Sequence, residues 1–206
     1  MADIGAEQVK RLREATGAGV MDSKRALQEA DGDMDRAAQL LAEKGMASVG
    51  KRAGRSANQG RIESYIHFNG TVGSLVEVNC ETDFVANTEE FKQLTKDIAL
   101  HVASPAEPRW LRREDAPASE VDATRHVFEV QAKEMGKPDN VTRQIVEGKM
   151  AAFFADNVLL EQQYVKDDSK TIQQLLDEVG AKTGEKVVVG RFARFRLGEG
   201  PGGGAE

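Results

Sequence analysis

The stretch NCETDFVAN, residues 79–87, marks the point at which a strand of this chain ends and a helix begins. A loop at such a junction can hold side chains out towards a partner while both flanks stay rigid. Asp83 and Phe84 place a charge beside an aromatic ring there. The alternative is that Thr82 and Asp83 cap a turn, while Phe84 and Val85 pack the next helix onto the core. The residues alone leave both interpretations open.

The segments around this stretch predict an α+β fold. Residues 62–67 and 72–78 are rich in strand-forming residues, and Asn69-Gly70 between them is typical of a hairpin turn with both central residues at positive φ. The following helix carries a stripe of apolar residues on one side, namely Phe91, Leu94, Ile98 and Val102. With more helices downstream and a last strand, the pattern predicts a core domain over residues 61–198, a small antiparallel sheet packed with helices.

Residues 4–45 predict three short helices, because apolar residues recur at helical spacing and glycines separate the segments. Gly45 is expected to end the third helix, which gives a bundle over residues 1–46. Between Glu43 and Glu63 the chain has no acidic residue, so residues 47–60 are expected to form a flexible basic linker. The glycine-rich end, residues 199–206, is expected to be disordered.

Composition excludes several classes of protein. The chain has 206 residues, 40% of them hydrophobic, which is enough for one or two domains with a core. A net charge of −6 argues against a large nucleic-acid footprint, and we expect no DNA partner. No apolar run is long enough for a membrane span, and the N-terminus lacks the pattern of a signal peptide. A single cysteine suits a reducing compartment, so we expect a cytoplasmic protein.

No set of residues predicts catalysis, a metal or a cofactor. The chain lacks a phosphate-binding loop of the Gly-x-x-x-x-Gly-Lys-Ser/Thr type. His67, His101 and His126 share no ligand spacing, and Cys80 with His67 lacks an orienting third group. We therefore expect a binding protein rather than an enzyme. An RNA- or ribosome-binding module acting through Lys51, Arg52 and Arg55 is the alternative.

Three segments of the chain resemble one family, bacterial elongation factor Ts. LREATGAGVMD at residues 12–22, with KRAL at 24–27, is similar to the start of that family. EVNCETDFVA at residues 77–86 is similar to its most distinctive core segment. QYVKD at residues 163–167 and the segment 191–198 are similar to its later part. Because the likeness runs in order along nearly the whole chain, chance agreement is improbable.

The resemblance implies a guanine nucleotide exchange factor for elongation factor Tu, a cytoplasmic factor of protein biosynthesis. It implies that the N-terminal bundle is of the ubiquitin-associated type and that Leu12, Val20 and Met21 contact the nucleotide-binding domain of the partner. The alternative for each of the three is packing within the bundle. The core segment would act near the partner's nucleotide, so that Thr82, Asp83, Phe84 and Val85 displace Mg²⁺, with Phe84 as the wedge. The partner would be bound in its GDP-bound and nucleotide-free forms.

The chain resembles the short form of the family. Longer members carry a second core half, a coiled-coil insertion and a C-terminal module, for which this chain has little room. Some short forms have a cysteine in the final strand, but RFAR at residues 191–194 has none, so the resemblance predicts no disulfide-linked dimer there. Pairing of two chains as a non-covalent homodimer stays open.

Overall fold

The computed structural model describes residues 4–16, 18–52 and 54–199, without the side chains of residues 46–51. The N-terminal part is helical, with α1 at Ala6–Thr16, α2 at Val20–Glu29 and α3 at Met34–Arg52. The three helices share one buried apolar cluster, formed by Val9, Leu12, Ala26, Leu27, Ala30 and Ala37. The predicted bundle is therefore present. The predicted disordered tail, from residue 200 onward, lies outside the described residues.

The prediction that Gly45 ends the third helix is wrong, because α3 continues to Arg52 through part of the expected linker. A Cβ atom on Gly45 would lie only 2.8 Å from the Cβ atom of Ala181. Glycine at this position thus allows a close approach to another segment of the chain rather than a helix stop. A glycine inside a helix costs only about 1 kcal/mol relative to alanine, which packing can offset.

The main sheet has three strands, β1 at Gln59–Ile66, β2 at Val72–Cys80 and β5 at Val188–Arg196, in the order β1-β2-β5. It is antiparallel, as predicted. A second antiparallel sheet pairs β3 at Gln163–Tyr164 with β4 at Asp167–Thr171.

The hairpin between β1 and β2 forms as predicted, but its turn differs in detail. Gly70 has a φ of +70°, whereas Asn69 is not in the left-handed region. The amide of Gly70 donates to the carbonyl of His67 at 2.8 Å. The side-chain oxygen of Asn69 accepts from the backbone N–H of Thr71 at 3.1 Å. Asn69 therefore stabilises the turn through its side chain rather than through a positive φ.

Five further helices complete the α+β fold within the described residues: α4 at Asp83–Ala86, α5 at Glu89–Ala103, α6 at Ala118–Glu134, α7 at Asp139–Asn157 and α8 at Ile172–Thr183. Short 3₁₀ turns lie at Arg113–Asp115 and Leu159–Glu161. The predicted apolar stripe of α5 is confirmed, because Phe91, Leu94, Ile98 and Val102 are all buried.

The described residues fall into two compact units. Unit 1 is drawn from Met1–Ile62, Glu77–Thr95 and Gln174–Gly190, and unit 2 from Glu63–Val76, Lys96–Gln173 and Arg191–Glu206. Unit 1 contains the bundle, α4 and the segment after α8. Unit 1 combines the N-terminal bundle with parts of the expected core, so these two units do not follow the predicted domain boundaries at residues 46, 60 and 198. Those domain boundaries stay a prediction.

Candidate partner-binding site

The strand-to-helix junction carries the candidate site. β2 ends at Cys80, and Thr82 is the N-cap of α4, with an extended backbone at φ −127° and ψ 155°. The hydroxyl oxygen of Thr82 accepts from the amide of Val85 at 3.4 Å, which satisfies a donor that the helix itself cannot. At the other end, the side-chain amide of Asn87 donates to the carbonyl of Asp83 at 2.8 Å. Local capping thus explains why so short a helix forms here.

Phe84 is an exposed aromatic residue of this helix. Its side chain is 81% exposed, and Asp83 beside it is also exposed. Val85 is half-buried, and Ala86 is buried. A phenylalanine is among the residue types most often buried, so a ring held in solvent on a capped helix is informative. The structure therefore does not show the alternative in which Phe84 packs into the core of its own chain.

A glutamate distant in sequence holds the junction. One carboxylate oxygen of Glu185, Oε2, accepts from the amides of Glu81 and Thr82, each at 3.1 Å. The other oxygen, Oε1, accepts from the Thr82 hydroxyl at 2.6 Å. Sequence reasoning missed Glu185, because nothing in the residues around it indicates which part of the chain it contacts.

Glu81 makes the reciprocal contacts. Its Oε1 atom accepts from the amide of Lys186 at 2.7 Å and from the guanidinium of Arg55 at 3.3 Å. The hydrogen bond from the Lys186 amide is the main cause that lowers the pKa of Glu81 below its usual range, and Arg55 adds to the effect. Glu81 is therefore ionised at neutral pH and fixed in place.

Cys80 lies next to the junction as a buried thiol. Its Sγ atom is 3.1 Å from the carbonyl oxygen of Thr82, to which the thiol donates. Burial raises the pKa of Cys80 to about 11, so the group is protonated at neutral pH. A protonated buried thiol is a poor nucleophile, and its contact here is structural.

The bundle offers a second surface. Val20 is 54% exposed and Met21 is 61% exposed, and both lie in the first turn of α2. Beside them is a cavity of about 320 Å³, lined by Ile4, Ala6, Val9, Lys10, Arg13, Val20 and Lys24. Apolar walls with three cations suit an apolar partner segment that carries acidic residues.

Leu12 differs from the other two predicted contact residues. It is 1% exposed and packs in the apolar cluster of the bundle. A side chain without exposed surface cannot itself touch a partner, so we correct the prediction for Leu12 to a packing role beneath the surface.

Of the three cations behind the RNA alternative, Arg52 is buried and Arg55 is hydrogen-bonded within the chain. Arg52 is 7% exposed, and Arg55 donates to Glu81 and to the carbonyl of Gly184. The side chain of Lys51 lies outside what the structure describes. Free cations are what phosphate binding needs, so these contacts weigh against this alternative.

In the part of the chain that the structure describes, no group of three His, Cys, Asp or Glu residues could hold a metal ion. None of its helices is both long and apolar enough to cross a membrane.

The sequence is similar to those of known proteins over nearly its whole length. The family model for elongation factor Ts matches residues 9–199. Elongation factor Ts of Thermoanaerobacter sp. (strain X514) is 52% identical over 197 residues, which cover 96% of each chain. The same factor of Caldanaerobacter subterraneus subsp. tengcongensis is 51% identical over 96% of this chain and 98% of its own. That of Geobacter metallireducens is 51% identical over 96% of this chain and 91% of its own. With the match extending over nearly all of both chains, this protein belongs to the elongation factor Ts family of translation elongation factors.

Proposed function

We propose that this protein is a guanine nucleotide exchange factor that binds GDP-bound elongation factor Tu and releases its GDP. Family membership supports the role in translation. The observation that carries the proposal is Phe84, 81% exposed on a capped helix that Glu185 fixes from outside. Because translation takes place in the cytoplasm, we expect the protein there.

The mechanism we propose needs no covalent step by this chain. A GTPase holds its nucleotide through Mg²⁺ and through backbone amides of its phosphate loop. Mg²⁺ requires near-ideal octahedral geometry, so a small displacement of its ligands weakens nucleotide binding. Phe84 supplies the displacement by entering packed side chains of the partner, which shift between discrete arrangements. Asp83, adjacent and exposed, adds a negative charge close to the phosphates.

Thermodynamic linkage sets what the factor has to do. If the factor weakens GDP binding by some ratio, GDP weakens binding of the factor by the same ratio. Each tenfold step corresponds to about 1.4 kcal/mol. The factor must therefore bind the nucleotide-free partner tightly and be expelled by incoming GTP.

Two contact surfaces make such tight binding attainable. Val20 and Met21 on the bundle and Phe84 on α4 all lie in unit 1. The second contact forms at a raised effective concentration once the first has formed. In this proposal the bundle supplies affinity, and α4 acts on the nucleotide site.

The test is GDP release from purified elongation factor Tu loaded with a fluorescent GDP analogue, followed by stopped flow with excess unlabelled GDP. If the proposal is right, the rate of GDP release should rise with the concentration of this chain. Amounts of the chain below one per molecule of elongation factor Tu should still release the GDP from all of it. Release at the spontaneous rate, with a factor shown to be folded by its thermal melt, would overturn it.

Pairing of two chains is a separate proposal. Unit 2 exposes several apolar side chains that would give a non-covalent homodimer a contact surface, among them Ile66, Leu75 and Phe195. Sedimentation equilibrium of the wild type and of Phe195→Asp tests this. If two chains pair through this surface, the wild type should form a dimer and Phe195→Asp should be a monomer. A wild type that is monomeric at all concentrations would contradict this proposal.

A further inference from the structure

We propose that Glu185 is a positioning residue for Phe84: its carboxylate anchors the N-terminus of α4 and so sets the direction in which the ring meets the partner. The inference deepens the proposed exchange activity and rests on it. Glu185 itself touches neither nucleotide nor Mg²⁺ in this proposal and acts only through α4.

The first step is that α4 cannot hold its own direction. The helix has four residues, and isolated helices of that length are not stable in water. Its exposed ring makes few contacts that could orient it. The orientation of Phe84 must therefore come from whatever fixes the backbone of α4.

The second step is that Glu185 supplies this fixing point. Its carboxylate receives three hydrogen bonds from two consecutive residues, the amides of Glu81 and Thr82 and the Thr82 hydroxyl. Hydrogen bonds to an ionised carboxylate are about twice as strong as neutral ones. The same Thr82 oxygen caps α4 through the Val85 amide, so the anchor and the helix share one atom.

The third step is that the attachment resists rotation. While Glu185 accepts from the backbone around Thr82, the next residue, Lys186, donates its amide to the carboxylate of Glu81. Lys186 also donates its ammonium to the carbonyl of Arg55 at 3.0 Å, and Arg55 in turn contacts Glu81. Attachment at two points on either side of the junction fixes direction as well as position. A wedge that is fixed beforehand loses less entropy when it binds.

Removal of the carboxylate should therefore lower the exchange rate more than it lowers partner binding. We expect Glu185→Ala to reduce the maximal acceleration of GDP release about tenfold, equivalent to about 1.4 kcal/mol. The concentration of factor that gives half of the maximal rate should stay within about threefold, because the surface of the bundle is untouched. Glu185→Gln keeps one acceptor oxygen and should recover most of the rate. Glu134→Ala, which removes an exposed glutamate of α6, is the matched control and should behave as wild type.

A double-mutant cycle separates positioning from general destabilisation. If Glu185 acts through Phe84, then Glu185→Ala should change the rate of Phe84→Ala by less than about twofold. If Glu185→Ala lowered the exchange rate by the same factor in the wild type and in Phe84→Ala, the proposal would be overturned. A lowered melting temperature alone would not produce this coupling, since the folded fraction is measured for each variant.

Amide hydrogen exchange tests the same claim without any partner. Glu185→Ala should speed exchange over residues 81–86 about tenfold or more and leave the bundle unchanged, because two amides lose their acceptor. Unchanged exchange over residues 81–86 would overturn the proposal. If Glu185→Ala does not fold, Glu185→Gln is used, with a smaller increase of about threefold expected over the same residues. Should the wild type fail to release GDP, the proposed function fails, while this measurement still decides whether Glu185 positions α4.

Discussion

Truncation of Phe84 to alanine is expected to separate a role in stability from a role in partner binding. Because the side chain is 81% exposed, only about a fifth of it contributes to folding. Truncation of a fully buried phenylalanine costs about 3–5 kcal/mol, so a fifth of that is about 0.6–1 kcal/mol. We therefore expect Phe84→Ala to lower the melting temperature by only a few degrees.

The expected effect on partner binding is larger. A phenylalanine side chain can bury about 150–200 Å², and with 81% of it free in this structure about 120–160 Å² is available to a partner. At about 25 cal/mol per Å² this area is worth about 3–4 kcal/mol, which is an upper bound because the partner must open to admit the ring. We expect a measured loss of about 1–3 kcal/mol, the range of an interface hot spot.

Two measurements on the same preparations test the prediction. A thermal melt gives the stability, and stopped-flow release of a fluorescent GDP analogue gives the exchange rate. Phe68→Ala is the matched control, because Phe68 is another phenylalanine that is 91% exposed. Phe68→Ala should have the same stability as Phe84→Ala but the exchange rate of the wild type.

One pattern of results would refute this reasoning. If Phe84→Ala released GDP at the wild-type rate but melted well below wild type, the ring would serve the fold and not the partner. If Phe68→Ala lost as much exchange activity as Phe84→Ala, exposed rings in general rather than this junction would matter.

Three other predictions concern helix packing, a buried histidine and the surface of the bundle. Gly45→Ala should destabilise the protein by about 1–3 kcal/mol in denaturant titrations, because its new methyl group would overlap an alanine of α8. Gly148 lies in a helix where an added Cβ atom would meet no atom within 4 Å, so Gly148→Ala is the control and should stabilise the protein by up to about 1 kcal/mol. Burial lowers the pKa of His101, whose ring accepts from a backbone amide and contacts a buried glutamine. The contribution of His101 to stability is therefore present above its unfolded pKa of about 6.5 and is lost as pH falls below that value. Thermal melts from pH 7.5 to 5.5 should show a decline in melting temperature that His101→Gln reduces. His126→Gln, which replaces an exposed histidine, is the control and should leave the decline unchanged. Met21→Ala should raise the half-saturating concentration of the factor about fivefold, equivalent to about 1 kcal/mol, and leave the maximal exchange rate unchanged, whereas a lower maximal rate at unchanged half-saturation would contradict its role.

Several features of the fold could be predicted from the local sequence. The Asn69-Gly70 pair predicted the hairpin, and the spacing of apolar residues predicted the buried face of α5. A strand before residue 79 and a helix after residue 87 were also predicted, whereas α4 forms within the segment that was expected to be a loop. Each of these depends on atoms only a few residues apart, so a short window of sequence contains the cause.

Other features could not be predicted in this way. Gly45 was expected to end a helix, but α3 continues past it, and the glycine leaves room for Ala181 instead. Leu12 was expected to contact a partner, but it lies in the bundle core. In both positions the residue type fits either role, and only the packed neighbours decide between them.

Short-range spacing in the sequence predicted both kinds of secondary structure, whereas the family and the choice of Phe84 came from the resemblance of three segments to elongation factor Ts. Tertiary structure alone decided that Phe84 stands in solvent and that Glu185 anchors the helix beneath it. The physical reason is that burial and hydrogen bonds between segments about a hundred residues apart depend on how the whole chain packs, and no local pattern records that.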